Sequence, residues 1–416
     1  MNKNDGKTWF DYLCDLSLIG LLTALFAFST NAKNIFLPLE IFFLVTFGIR
    51  FFISRSKLSL YTVWSIGLVV LALLSTTYAP NESEARRLAI SMIQVVLFGN
   101  LILPYLRDSD KNIHILLYGI MIAASSLLVR ILMSAPMEEL LSRRWGPTVE
   151  INANQVGLCL AFGALVALYY GIAEKRYFYL LLMPILALSS LFSGSRKAIV
   201  LILIGGILLI VLTRKPTLSS FLELCVLLII LLGIWILVFR WEPLYRVLGN
   251  RVETFLSFFS NEGATDGSTS IRFEMIRNGF DLVLQRPLFG HGMASFKEIS
   301  GYRFYSHNNY IEILVSWGFI GFIWFYGFLA VIFILGLKKF FSVKKTTLLI
   351  LEIMILIVLV IDDFGRVRFY DEISHIFYAF CYAALLGQVP QTGYDLPTLG
   401  KAILNWIRHP RLSRQS

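Results

Sequence analysis

The sequence predicts an all-α integral membrane protein with about twelve transmembrane helices and one large external loop. Three observations carry this. The 416-residue chain is 57% hydrophobic and only 15% charged, whereas a soluble domain is about a quarter charged. Its mean hydropathy is +0.70. Its apolar residues gather in repeated unbroken runs of roughly 17–25 residues, the length that spans a bilayer as a helix and not the alternating pattern of a barrel strand.

Taken in order, the runs predict helices over 12–29, 35–53, 60–79, 88–106, 113–134, 153–173, 176–192, 198–213, 217–240, 309–337, 346–362 and 373–388. The first has no small-residue cleavage site followed by a soluble domain, so it reads as a retained helix. The helices at 176–192 and 198–213 are short for a span and suggest tilt or a break. Four regions follow: a membrane region of about nine helices over 1–240, an external catalytic loop over 241–308, a second membrane region of about three helices over 309–388, and a basic tail over 389–416. In the tail, Leu399, Ile403 and Ile407 share one helical face with Lys401 and Arg408 near the other. The segment 396–408 therefore reads as a helix lying on the membrane surface.

Lysine and arginine in short loops set orientation. With the N-terminus inside, nineteen such residues face the cytoplasm and ten face out. Both termini are thus expected in the cytoplasm and the interval 241–308 outside. The net charge of +10 suits anionic lipid or phosphate partners. No nucleic-acid module is recognisable. The four cysteines (Cys14, Cys159, Cys225, Cys381) lie in apolar runs without CxxC spacing, as small buried hydrophobes do.

Cations on the outer side run against the topology rule and are therefore informative. Arg143 and Arg144 stand in SRRWGPTVEINANQ, Arg196 and Lys197 in SGSRKAI, Arg366 and Arg368 in DDFGRVRFYDE, and Arg272, Arg277 and Arg286 in the long interval. The guanidinium fork matches phosphate. Arg366 and Arg368 are flanked by Asp362, Asp363, Asp371 and Glu372, which favours a structural ion-pair cluster. Arg143 and Arg144 follow Glu138 and Glu139, leaving pairing and substrate binding equally open. Arg196 has no acid nearby in sequence and starts a helix, whose N-terminal amides add to an anion site.

In the long interval, Asp266-Gly267 is a turn signal and Ser268 to Ser270 offer helix caps. A helix follows with Ile271, Met275, Gly279 and Leu282 on one face. Arg272 falls in its first turn, where the helix dipole favours acids, so a solvated loop arginine or a ligand-binding one are the two readings. Pro287 ends the helix, and Gly290 and Gly292 allow a tight return. His307 then opens the next apolar helix. Its imidazole, ordinarily titrating near 6.5, suits a general base, and equally an interfacial hydrogen-bonding group. His291, between glycines, reads as a loop residue, and His375 as a satisfied structural group. No HxH, HExxH or clustered carboxylates offer metal-ligand spacing, so neither metal nor cofactor is expected.

Four passages in order resemble the O-antigen polymerase and O-antigen ligase superfamily: Arg144 followed by NANQ (Asn152 to Gln155), SGSRKAI with Arg196, STSIR…RPLFGHG with Arg272, and SHNNYIEILVSWGFIG with His307. The resemblance implies a GT-C-type membrane glycosyltransferase in a bacterial cytoplasmic membrane. Its donor is a glycan on undecaprenyl diphosphate and its acceptor a second glycan. It implies that Arg196, Arg272 and Arg144 bind the diphosphate, that His307 assists the attacking hydroxyl, and that no metal is needed. Asn154 and Asn308 are expected in support, Asn308 by orienting His307. A single displacement would invert the anomeric carbon. Flippase and chain-length regulator proteins are further candidate partners. Within the superfamily, a polymerase of capsule, exopolysaccharide or O-antigen repeat units is the first reading. A ligase transferring glycan to lipid A-core is the second. A lipid-linked oligosaccharide flippase is the third, disfavoured because the notable charges gather at one face instead of deep inside spans.

Overall fold

The computed structural model describes residues 7–28, 32–54, 58–214, 217–257, 267–342 and 346–387. The expected tail helix at 396–408 and the turn residue Asp266 lie outside these. Among the described residues the fold is helical throughout, without strands.

All twelve expected helices are present as helices. They are α1 (Trp9–Ala27), α2 (Lys33–Ser54), α3 (Leu60–Ser75), α4 (Glu82–Asp108), α5 (Asp110–Ser134), α7 (Ala153–Ile172), α8 (Tyr179–Leu191), α9 (Arg196–Thr213), α10 (Leu218–Arg240), α15 (Asn309–Ser342), α16 (Thr347–Asp362) and α17 (Glu372–Leu386). Further helices lie between them: α6 (Met137–Ser142), α11 (Glu242–Leu244), α12 (Asn250–Ser257), α13 (Gly267–Gln285) and α14 (Ser295–Ile299). Seven of the described helices are long and apolar enough to cross a membrane: α1, α2, α4, α5, α7, α9 and α15. The interval expected as one long loop is thus largely helical.

Local chemistry starts these helices where the sequence allows it. Thr8 and Asp11 form a reciprocal capping box at α1, and Thr346 and Asp371 cap α16 and α17 through their side chains, each satisfying donors that a helix N-terminus leaves open. α7 is buried along almost its whole length and forms the centre against which α5, α8 and α9 pack. Two indoles lock α3 to α15: Trp64 Nε1 donates to the Trp324 carbonyl at 3.1 Å, and Trp324 Nε1 donates to the Trp64 carbonyl at 3.0 Å. At the end away from the site, Arg50 bridges Asp11 at 2.6 Å and Asp108 at 2.7 Å, tying α1, α2 and α4.

α15 is not one continuous helix. Gly318 has φ 63° and ψ −161°, so the helix breaks there. The freed backbone groups are taken up by the segment 287–292. His291 and Gly292 donate to the carbonyls of Val315 and Ser316 at 2.7 and 2.9 Å, and Phe319 donates to the Pro287 carbonyl at 2.7 Å. Both glycines of this junction are required by space. A Cβ on Gly318 would lie 2.4 Å from the Leu288 backbone, and one on Gly290 would lie 2.6 Å from that of Val315 and Ser316. The return allowed by Pro287 and Gly290 therefore closes around a broken helix, as satisfaction of backbone groups demands in an apolar setting.

Candidate active site at one end of the bundle

The loop before α7, the start of α9, the amphipathic α13, the loop before α15 and the loop between α16 and α17 converge at one end of the bundle. They enclose a cavity of about 250 Å³ whose walls include His307, Arg272, Lys197, Arg366, Asn154 and Tyr305. Three cations and one histidine thus face a common space. Among the described lining residues there is no carboxylate.

α13 is held over this space by an apolar seam. Met275 and Val283 are buried against Ile311, Leu314 and Val315 of α15 and Phe296 of α14. Gly279 lets Ile311 approach so closely that a Cβ would lie 2.3 Å from it. Ile271, expected on this face, is instead 45% exposed, because the seam begins one turn later. Arg272 therefore sits in the second turn and reaches the cavity from the end of α13 that overhangs it.

His307 lies before α15, not on it, with φ 54°. The sequence reads it as opening the helix expected over 309–337, and the capping chemistry sets the first helical residue at Asn309. Asn308 Oδ1 accepts from the Ile311 amide at 3.1 Å, and the buried Glu312 accepts from the Ser306 amide at 2.8 Å. Ser306 Oγ donates to the Asn308 carbonyl at 2.8 Å. This closed turn leaves His307 in the left-handed region that few non-glycine residues adopt. Asn308 spends its side-chain oxygen on the cap. The His307 ring lies 4.2 Å from the Tyr305 ring, centre to centre. Burial first, then the Arg272 and Lys197 charges, lower the His307 pKa to about 4. The imidazole is therefore neutral at pH 7.

The loop between α16 and α17 is fixed by a buried knot. Arg368 donates to Asp363 at 2.7 Å, to Asp362 at 2.5 Å and to the Leu359 carbonyl at 3.0 Å. Asn309 joins this knot to the start of α15: its Oδ1 accepts from the amides of Arg368 and Phe369 at 2.8 and 3.1 Å, and its amide nitrogen donates to Asp363 and Tyr326. Arg368 is thus the structural ion pair that its flanking acids suggested. Arg366 is both things at once. It pairs with Asp371 at 2.5 Å and lines the cavity.

The dipeptide Arg196-Lys197 splits. Lys197 faces the cavity, donating to the Gly365 carbonyl and standing 3.8 Å from Asp362. Arg196 donates to the Arg251 carbonyl at 3.1 Å and belongs to a neighbouring group with Arg144 and Arg251. Burial, then Arg251 and Arg196, lower the Arg144 pKa to about 10. Arg144 donates to the Ser193 carbonyl at 2.8 Å and to Asn154 Oδ1 at 3.1 Å. Asn154 therefore links the two groups of cations. Gly194, at φ 62°, makes room: a Cβ there would lie 2.8 Å from Arg144 Nε.

Other residues singled out in the sequence lie elsewhere. Arg143 pairs with Glu139. Arg277 and Arg286 are exposed. His291 Nε2 lies 2.9 Å from the Leu282 carbonyl, and the fully buried His375 lies 2.8 Å from that of Phe369. Sequence reasoning missed Lys197 as a cavity residue and Asn309 as the tie between loops. The phase of α9 relative to α15 and α16 decided the first, and no local signal carried it.

Residues 178–326 match a family model described as O-antigen ligase (Wzy_C), consistent with the O-antigen polymerase and ligase superfamily. No curated protein matches the chain. The matched stretch contains Arg196, Lys197, Arg272 and His307, while Arg144, Asn154 and Arg366 lie outside it. The likeness to the O-antigen ligase family thus covers about a third of the chain.

Proposed function

We propose that the protein is a glycosyltransferase that polymerises undecaprenyl-diphosphate-linked repeat units on the outer face of a bacterial cytoplasmic membrane, without a metal and with inversion. The observation that carries this reading is the cavity in which a neutral His307 stands among Lys197, Arg272 and Arg366. An acceptor hydroxyl attacks the anomeric carbon as the bond to the diphosphate breaks. His307 takes the hydroxyl proton, and the departing diphosphate keeps the bonding electrons. Cations placed beforehand on that growing charge stabilise the transition state. Arg272, Lys197 and Arg366 line the cavity with His307, and Arg144, bonded to Asn154, extends the positive surface toward Arg196.

The low pKa of His307 fits this order of events. Burial, the larger cause, keeps His307 neutral and a weak base, and a bound diphosphate would offset only the smaller contribution of Arg272 and Lys197. The proton leaves the hydroxyl as the new bond forms.

The topology proposed with this reading has about twelve spans in a GT-C-type arrangement. The seven long helices are joined by the apolar α3, α8, α10, α16 and α17. Both termini lie in the cytoplasm and the cavity outside, as the balance of loop cations suggests. Ligation of finished glycan to lipid A-core is the second reading, favoured by the description of the matched family model. Deleting the gene and analysing the cell's glycans separates them. Single repeat units at the surface support polymerisation, and full-length polymer left on undecaprenyl diphosphate supports ligation. Surface polymer of normal length and amount would sink both.

A further inference from the structure

A second cavity, also about 250 Å³, adjoins the first, and its chemistry is opposite. Glu150, Asp371 and Glu372 line it, with no lysine or arginine among its described walls. The two spaces share Asn152 and Gln155 as a common wall. The pair Arg366–Asp371, at 2.5 Å, straddles the boundary: Arg366 faces the first cavity and Asp371 the second. Together the two volumes reach the range of about 300–1,000 Å³ typical of small-molecule sites.

Three features point to a neutral polyhydroxyl ligand in the second cavity. Carboxylates repel a diphosphate, so the anionic part of any substrate is confined to the cation side. Carboxylates and amides instead accept and donate to hydroxyls, and Asn152 and Gln155 supply amides beside Glu150 and Glu372. Two aromatic rings, Phe28 and Phe36, complete the walls, and an aromatic ring offers a flat apolar surface for the C–H face of a sugar. The Gln155 amide has no hydrogen-bond partner among the described residues and is partly exposed to both spaces. The loop that presents these groups is set by Glu150, which holds φ 57° at the end of a single turn over Pro147–Val149.

We propose that this second cavity is the acceptor-sugar site of the reaction set out above, with Glu150, Gln155 and Glu372 binding hydroxyls and Phe28 and Phe36 the ring. This rests on the glycosyl-transfer reading. An in-line displacement needs the attacking hydroxyl on the side of the anomeric carbon away from the leaving group. The cations mark where the leaving diphosphate goes; the acceptor ring sits in the acid-and-amide cavity, and its attacking hydroxyl reaches past Asn152 and Gln155 to His307, which lines the first cavity. The acceptor, itself uncharged, is held by hydrogen bonds to carboxylates and amides and not by ion pairing.

The test is a saturation-transfer NMR titration of the full-length protein in nanodiscs. The probe is the lipid-free oligosaccharide repeat unit released by mild acid from the source organism's own polysaccharide. Wild type is expected to bind it. Glu150→Ala and Gln155→Ala should each weaken binding by about tenfold, the loss of one to two hydrogen bonds. Inorganic diphosphate should leave the oligosaccharide bound. Unchanged affinity in both variants overturns the site, and so does displacement by diphosphate, which would put the sugar among the cations. Elongation of lipid-linked units by the same preparation is measured in parallel. Elongation without oligosaccharide binding overturns the acceptor site and leaves polymerisation standing. Oligosaccharide binding without elongation keeps the sugar site and overturns polymerisation.

Discussion

Buried Arg368 and the cations of the neighbouring cavity lie within one end of this bundle, and they differ in how their charge is answered. In the knot between α16 and α17, Arg368 is 2% exposed and meets Asp362, Asp363 and a carbonyl. In the cavity beside it, Lys197, Arg272 and Arg366 face a space without a described carboxylate, and the carboxylates nearest to them stand behind its wall. The first arrangement builds the loop. The second turns positive charge toward a space that an anion can enter, with the Arg366 partner Asp371 behind the wall. Arg366 and Arg368, two residues apart, thus do different work according to which side of the loop they face.

The contrast breaks first at His307. His307→Ala is expected to lower polymer formation by roughly a hundred- to ten-thousandfold, the usual contribution of a general base, while protein levels in membranes hold. Quantifying polymer in cells carrying the variant checks this, and wild-type amounts would remove His307 from the chemistry. Arg368→Ala should do the reverse, acting on the fold. Leaving Asp362 and Asp363 buried without their partner costs about 3–5 kcal/mol, read as a large drop in thermal unfolding temperature in detergent. An unchanged transition would mean that the knot is not structural. Asn308→Ala removes the α15 cap and should cost about 1 kcal/mol, a small shift in the same assay.

The subtlest effect concerns titration. In the substrate-free protein His307 titrates near 4 because of burial and then Arg272 and Lys197. Arg272→Ala should move that titration upward, toward the ordinary value of about 6.5, as followed by NMR of labelled histidine. A downward shift or none would separate the two residues. The linkage has a definite sign. The folded pKa lies below the unfolded one, so the unfolded chain holds more proton between these values. His307 therefore subtracts from stability as pH falls from about 6.5 toward about 4, and not above.

Much of this was legible in the sequence because it rests on local chemistry. Apolar runs located all twelve helices, and Pro287 with Gly290 located the return. The acids around Arg368 announced its pairing. Arg272, His307 and Asn154 were singled out and lie at one cavity. What was not legible depends on relative phase. Neighbouring residues on a helix point about 100° apart, so nothing in SGSRKAI decides whether Arg196 or Lys197 turns inward. The break at Gly318 was hidden in a continuous apolar run, since only the approach of the Leu288 backbone reveals why a glycine stands there. The start of α15 at Asn309 agrees with the expected range, but the sequence reads His307 as opening the helix, and the turn in which Glu312 accepts from the Ser306 amide leaves it just outside.

The most direct measurement is reconstitution. Purified protein in liposomes, given only undecaprenyl-diphosphate-linked repeat units and a chelator, should yield a ladder of longer lipid-linked glycans, and His307→Ala and Arg272→Ala should yield none. No ladder from wild type, or an equal ladder from His307→Ala, would contradict the assignment of this cavity as the site of glycosyl transfer.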